Sequence, residues 1–369
     1  MPAIICLGYN RPLSLQRLLN SLALADYPSP NISLIISLDH CESDKCYRVA
    51  CDFVWNHGSK EVLLRPARLG LRAHVLACGD LSQKYGSIIM LEDDLIVAQS
   101  FYHYALAALD FYSSQNVVAG IALYSHRFNM VAQEPFAPIP TPFSSFFLAF
   151  PCSWGQAWTA DQWKRFSDWL QANETFELHE DLPASIRKWS KSSWLKLFAS
   201  FCIETKTTWV YPFHALSTNC GDPGENAGKN GALFQVPLLQ GISRTFPFPK
   251  FEETPARYDH YFENSSTPLF ELDLYGSKPN NGYRHDLLIT RRPVKACQQS
   301  FGLSLRPWEL NIEHQQPGSF FFKAKKDDVL WNSPGTTLLE RLFFQLPNRV
   351  PVKEWIRLVA HLLRKRIFR

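Results

Sequence analysis

Apolar runs and helical apolar stripes alternate along the first 125 residues. Short continuous apolar runs predict strands that are buried on both faces, and apolar residues spaced by three and four predict amphipathic helices. The predicted strands cover residues 3–8, 32–38, 62–64, 88–91 and 117–123, and the predicted helices cover residues 12–22, 70–85 and 100–112. This alternation predicts βαβ units, so we expect an α/β fold with a mostly parallel sheet flanked by helices.

Charged side chains follow three of these strands at the point where each strand ends. Arg11 follows the first strand, Asp39 follows the second, and the triplet Glu92-Asp93-Asp94 follows the fourth. The carboxyl ends of parallel strands share one edge of a sheet, and open α/β sheets bind their ligands there. Carboxylate oxygens suit Mg²⁺ or Mn²⁺, which in turn bind the phosphates of a nucleotide. An isolated acidic triplet is more often a solvated turn, but this context favours a binding site.

The composition of the 369 residues narrows the function further. With 46% hydrophobic and 14% aromatic residues the chain can bury a large core, and a net charge of +4 does not indicate a nucleic-acid-binding protein. The sequence has no Gly-x-Gly-x-x-Gly motif and no Walker loop, which argues against a dinucleotide-binding fold and a P-loop enzyme. The nine cysteines lack Cys-x-x-Cys spacing, and there is neither a spanning apolar segment nor a basic leader. These features predict reduced thiols in a cytoplasmic protein.

Two segments in the middle of the chain are predicted to be loops. Residues 125–150 are rich in Pro and Phe, and residues 214–231 are rich in Gly and Asn. The second segment is too polar for a core, so we interpret it as a mobile lid that orders over a ligand. His214, which precedes this lid, is a candidate metal ligand or phosphate partner, and a structural role for a lone histidine is equally compatible with the pattern.

Four tryptophans lie between residues 154 and 169. Trp163, Phe166 and Trp169 have helical spacing and predict a core helix with an aromatic stripe. Trp154-Gly155 precedes that helix in a predicted turn, where an aromatic ring beside a glycine is a candidate platform for a sugar ring.

The amino-acid composition of the chain changes near residue 240. Residues 241–350 are rich in Pro and aromatic residues and are predicted to form an irregular C-terminal extension. Residues 351–369 predict an amphipathic helix with six Lys or Arg and one Glu. A basic helix of this kind indicates a contact with an anionic membrane surface, although a terminal helix that packs on its own domain would show the same apolar face.

The residues quoted above resemble the GT-A nucleotide-sugar glycosyltransferases. The resemblance is to N-acetylglucosaminyltransferase I and to family 2-like bacterial glycosyltransferases of surface-polysaccharide synthesis, and it covers about residues 3–230. It depends on Asn10-Arg11-Pro12, on Asp39, on Arg72 and His74, on the Glu-Asp-Asp triplet followed by Phe101-Tyr102, and on the Trp154-Gly155 turn. It implies a GT-A catalytic domain at residues 1–240, with a nucleotide-binding half at 1–125 and an acceptor and lid half at 126–240.

The resemblance also implies roles for individual residues. Asp94 would bind Mn²⁺ or Mg²⁺ on the donor diphosphate, Asp93 would contact the ribose or the metal, and Glu92 would contact the donor sugar. Asp39 would hydrogen-bond the base. Arg11, Arg72 and His74 would help to hold the nucleotide, for which a UDP-type donor is favoured, and His214 lies where some relatives place a metal or phosphate ligand.

The catalytic base is the point where this chain departs from the family pattern. Inverting relatives have an aspartate directly after a tryptophan that follows a polar segment, whereas this chain has Trp194-Leu195. Asp181 in the preceding acidic segment is the first candidate, and Asp161, Asp222 and Glu180 are the others.

The expected reaction is transfer of a sugar from a nucleoside diphosphate to a hydroxyl of a glycan or of a lipid-linked acceptor, with inversion. The expected location is the cytoplasm, with peripheral contact at the inner face of the membrane. Two alternatives stay open from the residues alone: a sugar nucleotidyltransferase, and a degenerate glycan-binding or scaffold protein without turnover.

Overall fold

A computed structural model describes residues 1–173, 179–224 and 234–331. The N-terminal part alternates strands and helices as predicted. Its elements are β1 (Ala3–Gly8), α1 (Pro12–Ala23), β2 (Leu34–Leu38), α2 (Lys45–Asp52), β3 (Lys60–Leu64), α3 (Leu71–Gly79), α4 (Ser82–Tyr85), β4 (Ser87–Glu92), β5 (Leu95–Val97), α5 (Phe101–Tyr112) and β6 (Val118–Ala122).

The remaining described elements are shorter on average. They are β7 (Phe128–Asn129), β8 (Glu134–Pro135), β9 (Ser145–Leu148), β10 (Gln156–Thr159), α6 (Ala160–Ala172), α7 (Ala184–Arg187), α8 (Trp194–Thr205), β11 (Thr208–Pro212), β12 (Ser217–Asn219), β13 (Arg257–Tyr258), β14 (Glu271–Asp273), β15 (Leu287–Thr290), β16 (Gln299–Phe301), α9 (Glu309–Glu313) and β17 (Phe321–Lys325).

Within the described residues, nine strands form one central sheet in the order β13-β9-β11-β6-β10-β4-β1-β2-β3. The pairs β3-β2, β2-β1, β1-β4, β6-β11 and β9-β13 are parallel, and the other three pairs are antiparallel. Every residue of β1, β2 and β6 is buried, as expected for strands covered by helices on both faces. The prediction of an α/β fold with a mostly parallel sheet is therefore confirmed.

Some predicted boundaries were wrong. The single helix predicted at residues 70–85 is two helices, α3 and α4, and helix α2 was not predicted. The predicted loop at 125–150 contains β9, which is fully buried in the central sheet, and β10 follows the Trp154-Gly155 turn as an antiparallel strand between β4 and β6. Four-residue strands between Pro-rich segments are too short for their hydrophobic period to be recognised.

The aromatic stripe of α6 packs into the core as predicted. Trp163 and Phe166 are fully buried, and Trp169 is partly buried at the edge of the same apolar cluster. The Phe166 ring stacks on Phe198 of α8 with centroids 4.2 Å apart. Gly79 permits this packing, since a Cβ atom there would lie 2.0 Å from the Trp163 ring. Any larger residue at position 79 would therefore displace the tryptophan.

The C-terminal extension contains more regular structure than the sequence predicted. Strands β14, β15, β17 and β16 form a second, four-stranded sheet in that order. A buried ion pair joins it to the first part of the chain, because Arg291 Nη1 lies 2.8 Å from Glu134 Oε2 and both side chains are almost fully buried. Within the described residues no helix is long and apolar enough to cross a membrane. The predicted basic helix at 351–369 lies outside the described residues.

Candidate active site

The acidic triplet lies where β4 leaves the central sheet. Glu92 ends β4, and Asp93 and Asp94 form the turn that leads into β5. The neighbouring strand β1 ends at Gly8, and the loop after it carries Tyr9, Asn10 and Arg11 to the start of α1. Pro12 at the first turn of α1 fixes the direction of this loop. Two adjacent parallel strands thus bring Arg11 and the triplet to one edge of the sheet.

These residues line a pocket of about 430 Å³, which we call the acidic pocket. It contains most of the residues that the sequence predicted for nucleotide binding. Its lining includes Arg11, Asp39, His74, Glu92, Asp93 and Asp94, together with Tyr9, Arg68, Gly70, Pro223 and Gly224.

Arg11 forms ion pairs with two of the three acids. Its Nη1 lies 3.1 Å from Asp94 Oδ2, and its Nη2 is hydrogen-bonded to Asp93 Oδ1. The Arg11 side chain is 26% exposed, whereas Asp93 and Asp94 are 4% and 13% exposed. Arg11 therefore compensates much of the negative charge that this edge of the sheet concentrates.

The pKa values of Asp93 and Glu92 are raised at this edge of the sheet. Burial raises the pKa of Asp93 to about 6, although the Arg11 guanidinium opposes the shift. Burial, and then the charges of Asp94 and Asp93, raise the pKa of Glu92 to about 8. A bound cation would lower both pKa values, so the site favours a cation next to the triplet.

The triplet fits a divalent metal that is shared with a ligand. Asp94 Oδ1 is buried and has no hydrogen-bond partner among the described residues. In that part of the chain no three His, Cys, Asp or Glu side chains converge closely enough to hold an ion by themselves. Mg²⁺ and Mn²⁺ are commonly held by one or two carboxylates and by oxygens of a substrate phosphate. Asp93 and Asp94 are two such carboxylates. The Arg11 guanidinium pairs with both of them and so occupies the position that a metal ion would take.

Asp39 lines the acidic pocket, but its carboxylate already has backbone partners. Oδ1 accepts hydrogen bonds from the backbone N–H of His40 at 2.9 Å and of Leu69 at 2.8 Å. Oδ2 accepts one from Gly70 N–H at 2.9 Å. Asp39 therefore fixes the loop that begins α3, which was not part of its predicted role.

His74 and Arg72 differ in position. His74 lies in the acidic pocket, where its Nε2 is 2.8 Å from Ser37 Oγ, and burial lowers its pKa to about 4. It is therefore neutral at pH 7 and does not supply a positive charge to a phosphate. Arg72 does not line this pocket, because its guanidinium points towards the backbone carbonyl of Ser193, 3.5 Å away.

A second pocket of about 480 Å³ adjoins the first, and we call it the aromatic pocket. Leu71, Glu92 and Asp94 line both pockets. The walls of the aromatic pocket are mostly apolar rings, and serines of the α7–α8 connection lie at its side. The aromatic lining residues are Phe150, Trp154, Trp189, Trp194 and Phe234, and the serines of that connection are Ser190, Ser192 and Ser193.

The Trp154-Gly155 turn forms one wall of this pocket. The Trp154 ring lies 4.9 Å from the Phe234 ring at an angle of 31°. Gly155 has a φ of +91°, and a Cβ atom there would lie 2.7 Å from Ser217 Oγ. The close approach of β12 and the left-handed backbone both require glycine at this position, so the glycine fixes the orientation of the preceding tryptophan.

One of the candidate catalytic bases lines the aromatic pocket. Asp222 is in its lining, but its carboxylate accepts a hydrogen bond from Ser14 Oγ at 2.6 Å and pairs with Arg17. Hydrogen bonds from Arg17 and Ser14 outweigh burial and lower the pKa of Asp222. This carboxylate ties the chain after β12 to α1 and is a poor base in this geometry.

The structure does not bring Asp161, Asp181 and His214 to the acidic triplet. Asp161 is exposed in the first turn of α6, next to the start of β4, and so lies at the opposite edge of the sheet. Asp181 lines a separate pocket with Asp259, and Glu180 precedes it in the exposed part of that segment. His214 is exposed in a Pro- and Phe-lined pocket. Asp161 follows β10, which is antiparallel to β4, and this places it at the other edge of the sheet. His214 follows β11, which runs in the same direction as β4, but it lines a different pocket from the triplet.

Several residues of the acidic pocket were not predicted from the sequence. The Arg68 guanidinium lies 4.9 Å from the centre of the Tyr9 ring, and both residues line the pocket. Gly224 lies close to Arg11, since a Cβ atom there would be 3.1 Å from Arg11 Nη1. Tyr9 directly precedes the Asn-Arg-Pro motif and was therefore recognisable, whereas Arg68 lies in an irregular loop without a periodic pattern.

Comparisons with known proteins give weak structural matches. No protein-family model and no curated protein matches the chain. Residues 1–349 of S. aureus TarS match 59% of this chain and 60% of their own, with 13% identity and a TM-score of 0.38. The same part of TarS in complex with UDP-GlcNAc matches 62% and 60%, with 12% identity and a TM-score of 0.39. The mannosyltransferase PcManGT from Pyrobaculum calidifontis, in complex with GDP-Man and Mn²⁺, matches 50% of each chain with 11% identity and a TM-score of 0.32. Each of these matches spans less than two thirds of either chain.

Proposed function

We propose that this protein is a metal-dependent glycosyltransferase that moves a sugar from a nucleoside-diphosphate sugar to a hydroxyl of a glycan or lipid-linked acceptor. The observation that carries the proposal is the position of Glu92, Asp93 and Asp94 at the junction of two pockets. The acidic pocket has the Arg11 guanidinium and the carboxylates of the triplet, which suit a nucleoside diphosphate. The aromatic pocket has walls of aromatic rings, which suit sugar rings.

The nucleoside diphosphate would occupy the acidic pocket. Asp93 and Asp94 would hold Mn²⁺ or Mg²⁺, and the ion would stabilise the negative charge of the leaving diphosphate. Arg11 lies beside these carboxylates and would move its charge towards the diphosphate when the ion takes its place. Asp39 would keep the Leu69–Gly70 backbone in place as a wall for the nucleoside, and the neutral His74 would support the floor.

The sugar and the acceptor would meet in the aromatic pocket. Trp154 would provide a flat apolar surface for a sugar ring, and the rings around it would exclude water from the reacting atoms. Inversion requires that a base take the proton of the acceptor hydroxyl on the face opposite the leaving group. Of the described carboxylates that line this pocket, Asp94 pairs with Arg11 and Asp222 pairs with Arg17. We therefore propose Glu92, which lines both pockets, as the residue that receives this proton. It would do so with the metal ion bound, because a cation next to the triplet would lower its pKa from about 8.

A turnover assay tests the proposal. Purified protein is incubated with UDP- and GDP-sugars and Mn²⁺, and release of the nucleoside diphosphate is measured. We expect release with one base, loss of turnover in Glu92→Gln with nucleotide binding retained, and no effect of Asp168→Asn on the exposed face of α6. Release of pyrophosphate from a nucleoside triphosphate and a sugar phosphate would instead identify a nucleotidyltransferase, and absence of any turnover would contradict the proposal.

We also propose, from the sequence, peripheral contact of residues 351–369 with an anionic membrane. The six basic residues of this segment would each contribute about 1 kcal/mol near such a surface. The expected result is sedimentation with vesicles that contain phosphatidylserine, and loss of sedimentation at high salt. Equal sedimentation with neutral vesicles would contradict an electrostatic contact.

A further inference from the structure

A third pocket, of about 500 Å³, lies at the edge of the central sheet opposite the acidic triplet. Thr208 at the start of β11 lines it, and so does Ala149 directly after β9. Strand β11 runs parallel to β6, which runs in the same direction as β4 because β10 is antiparallel to both. The start of β11 is therefore at the far edge from the end of β4. We call this the distal pocket.

The polar groups in the distal pocket are held rigidly by the backbone. Asp259 Oδ1 accepts hydrogen bonds from the N–H groups of Tyr261 at 2.8 Å and of Glu263 at 3.0 Å. Glu271 Oε1 accepts hydrogen bonds from the N–H groups of Arg284 and His285. These carboxylates therefore keep their orientation without a ligand, and binding to them would not need side chains to be ordered first.

A buried ammonium balances these carboxylates. Lys278 is 6% exposed and lies 2.6 Å from Asp259 Oδ2 and 3.7 Å from Glu271 Oε2. Around the whole pocket, four carboxylates face three Lys or Arg side chains. A polyanion or a polycation would therefore gain little here, and a neutral polar ligand is favoured.

One nitrogen atom of the pocket has no partner. His260 Nε2 is buried and makes no hydrogen bond with any described residue, although the His260 ring contacts the Tyr261 ring at 4.7 Å. Burial lowers the pKa of His260, so the ring is neutral and presents one donor or one acceptor. A buried imidazole nitrogen without a partner is costly. The His260 ring is partly exposed at the pocket, and its rotation towards the pocket would let a ligand hydroxyl satisfy this nitrogen in either tautomer.

Aromatic rings form part of the wall beside these polar groups. Phe251 and Phe270 line the pocket and are half-buried, so part of each ring faces the open space. Three kinds of group thus lie together: fixed carboxylates that accept hydrogen bonds, a histidine that needs a partner, and apolar ring surfaces. A sugar presents hydroxyl groups at its rim and C–H groups on its face, which match these groups.

We infer that the distal pocket binds a neutral oligosaccharide, remote from the catalytic cleft. The inference goes beyond the proposed reaction, because binding there needs neither the acidic triplet nor a nucleotide. In a glycosyltransferase, such a site would hold a distant part of the glycan acceptor or product while its end reacts at the opposite edge or is released.

Calorimetric titration of the 369-residue protein with neutral oligosaccharides tests this inference. The probes are tetrasaccharides of the chitin, maltose and mannan series, each titrated to about 10 mM, which detects dissociation constants in the millimolar range. We expect at least one series to bind. Phe270→Ala removes a ring of the wall, and Arg284→Ala removes an exposed side chain that also lines the pocket, so each should weaken that binding about tenfold. Phe111→Ala on α5 is the matched control, because Phe111 is also a partly exposed phenylalanine and does not line the pocket.

The outcomes separate this inference from the proposed function. No binding by any series overturns the inference, as does binding that both Phe270→Ala and Arg284→Ala leave unchanged, and loss of that binding in Asp94→Asn would place the ligand at the acidic triplet instead. If Phe270→Ala fails to fold, the exposed Arg284→Ala decides alone. Oligosaccharide binding that is sensitive to Arg284→Ala in a protein that binds no nucleotide would refute the proposed function and leave the inference standing.

Discussion

Replacement of Arg11 by methionine tests the electrostatic account of the candidate site. Methionine keeps the apolar stem and removes the charge, so Asp93 and Asp94 lose their described cation partner. Breaking a fully buried ion pair costs about 3–5 kcal/mol. Arg11 is about a quarter exposed, so solvent screens part of the interaction, and we expect a loss of about 2–3 kcal/mol.

The expected effect depends on pH and on metal. Burial holds the pKa of Asp93 at about 6 while Arg11 opposes the shift, so loss of Arg11 raises this pKa further. The folded variant then binds a proton that the unfolded chain does not bind at neutral pH. Its stability deficit therefore grows as the pH rises from 6 to 8. Mn²⁺ would replace the lost cation and restore more stability to the variant than to the wild type.

Thermal unfolding without nucleotide measures this effect. In a chain of 369 residues, a loss of about 2–3 kcal/mol corresponds to a decrease in melting temperature of about 3–4 °C. Arg48→Met is the matched control, because Arg48 and Asp44 form an exposed pair worth about 0.3–0.5 kcal/mol. Equal melting temperatures of Arg11→Met and wild type at pH 8, or equal stabilisation of both by Mn²⁺, would refute the reasoning.

Three further predictions concern glycine, aspartate and histidine residues around the site. Gly155→Ala should lower the free energy of unfolding by about 1–3 kcal/mol, because φ is +91° and the new Cβ would meet Ser217; Gly241→Ala, also at positive φ but with open space, should cost less in the same urea titration. Asp39→Asn should weaken nucleotide affinity and also lower the melting temperature, because the amide group cannot accept all three backbone hydrogen bonds; unchanged stability would argue against this bracing role. Burial lowers the pKa of His126 to about 3, so between pH 6 and pH 4 only the unfolded chain takes up a proton at this residue, and the free energy of unfolding falls as the pH is lowered. His126→Phe should therefore reduce the slope of that fall by up to about 1.4 kcal/mol per pH unit. Parallel curves of unfolding free energy against pH for wild type and variant would contradict the prediction.

The sequence predicted the strands of the N-terminal half, where the local pattern of apolar residues matches the burial of each strand in the sheet. Strands β1, β2, β4 and β6 are continuous apolar runs because helices cover both of their faces, and such runs are recognisable without any partner. Strands β9 and β10 were missed because each is only four residues long and lies next to a Pro-rich segment or a tight turn. Their place in the central sheet comes from long-range pairing, which a local pattern does not contain.

Some residues of the candidate site could likewise be predicted from the sequence, and others could not. Arg11, Asp39 and the acidic triplet follow strands that are parallel neighbours, so topology alone brought them together. Asp181 lines the pocket at the opposite edge of the sheet, and no local pattern around it indicates that position. The partners of Asp39 and Asp222 depend on side-chain geometry, and neither could be inferred from residue type.

Calorimetric titration with UDP and GDP, in the presence and absence of Mn²⁺, tests the central claim most directly. We predict that one nucleotide binds wild-type protein, that Mn²⁺ increases its affinity at least tenfold, and that Asp94→Asn removes this increase while Asp168→Asn keeps it. Binding of neither nucleotide by folded protein, or binding that is the same with and without Mn²⁺ and in Asp94→Asn, would contradict the assignment of the acidic triplet as a metal and diphosphate site.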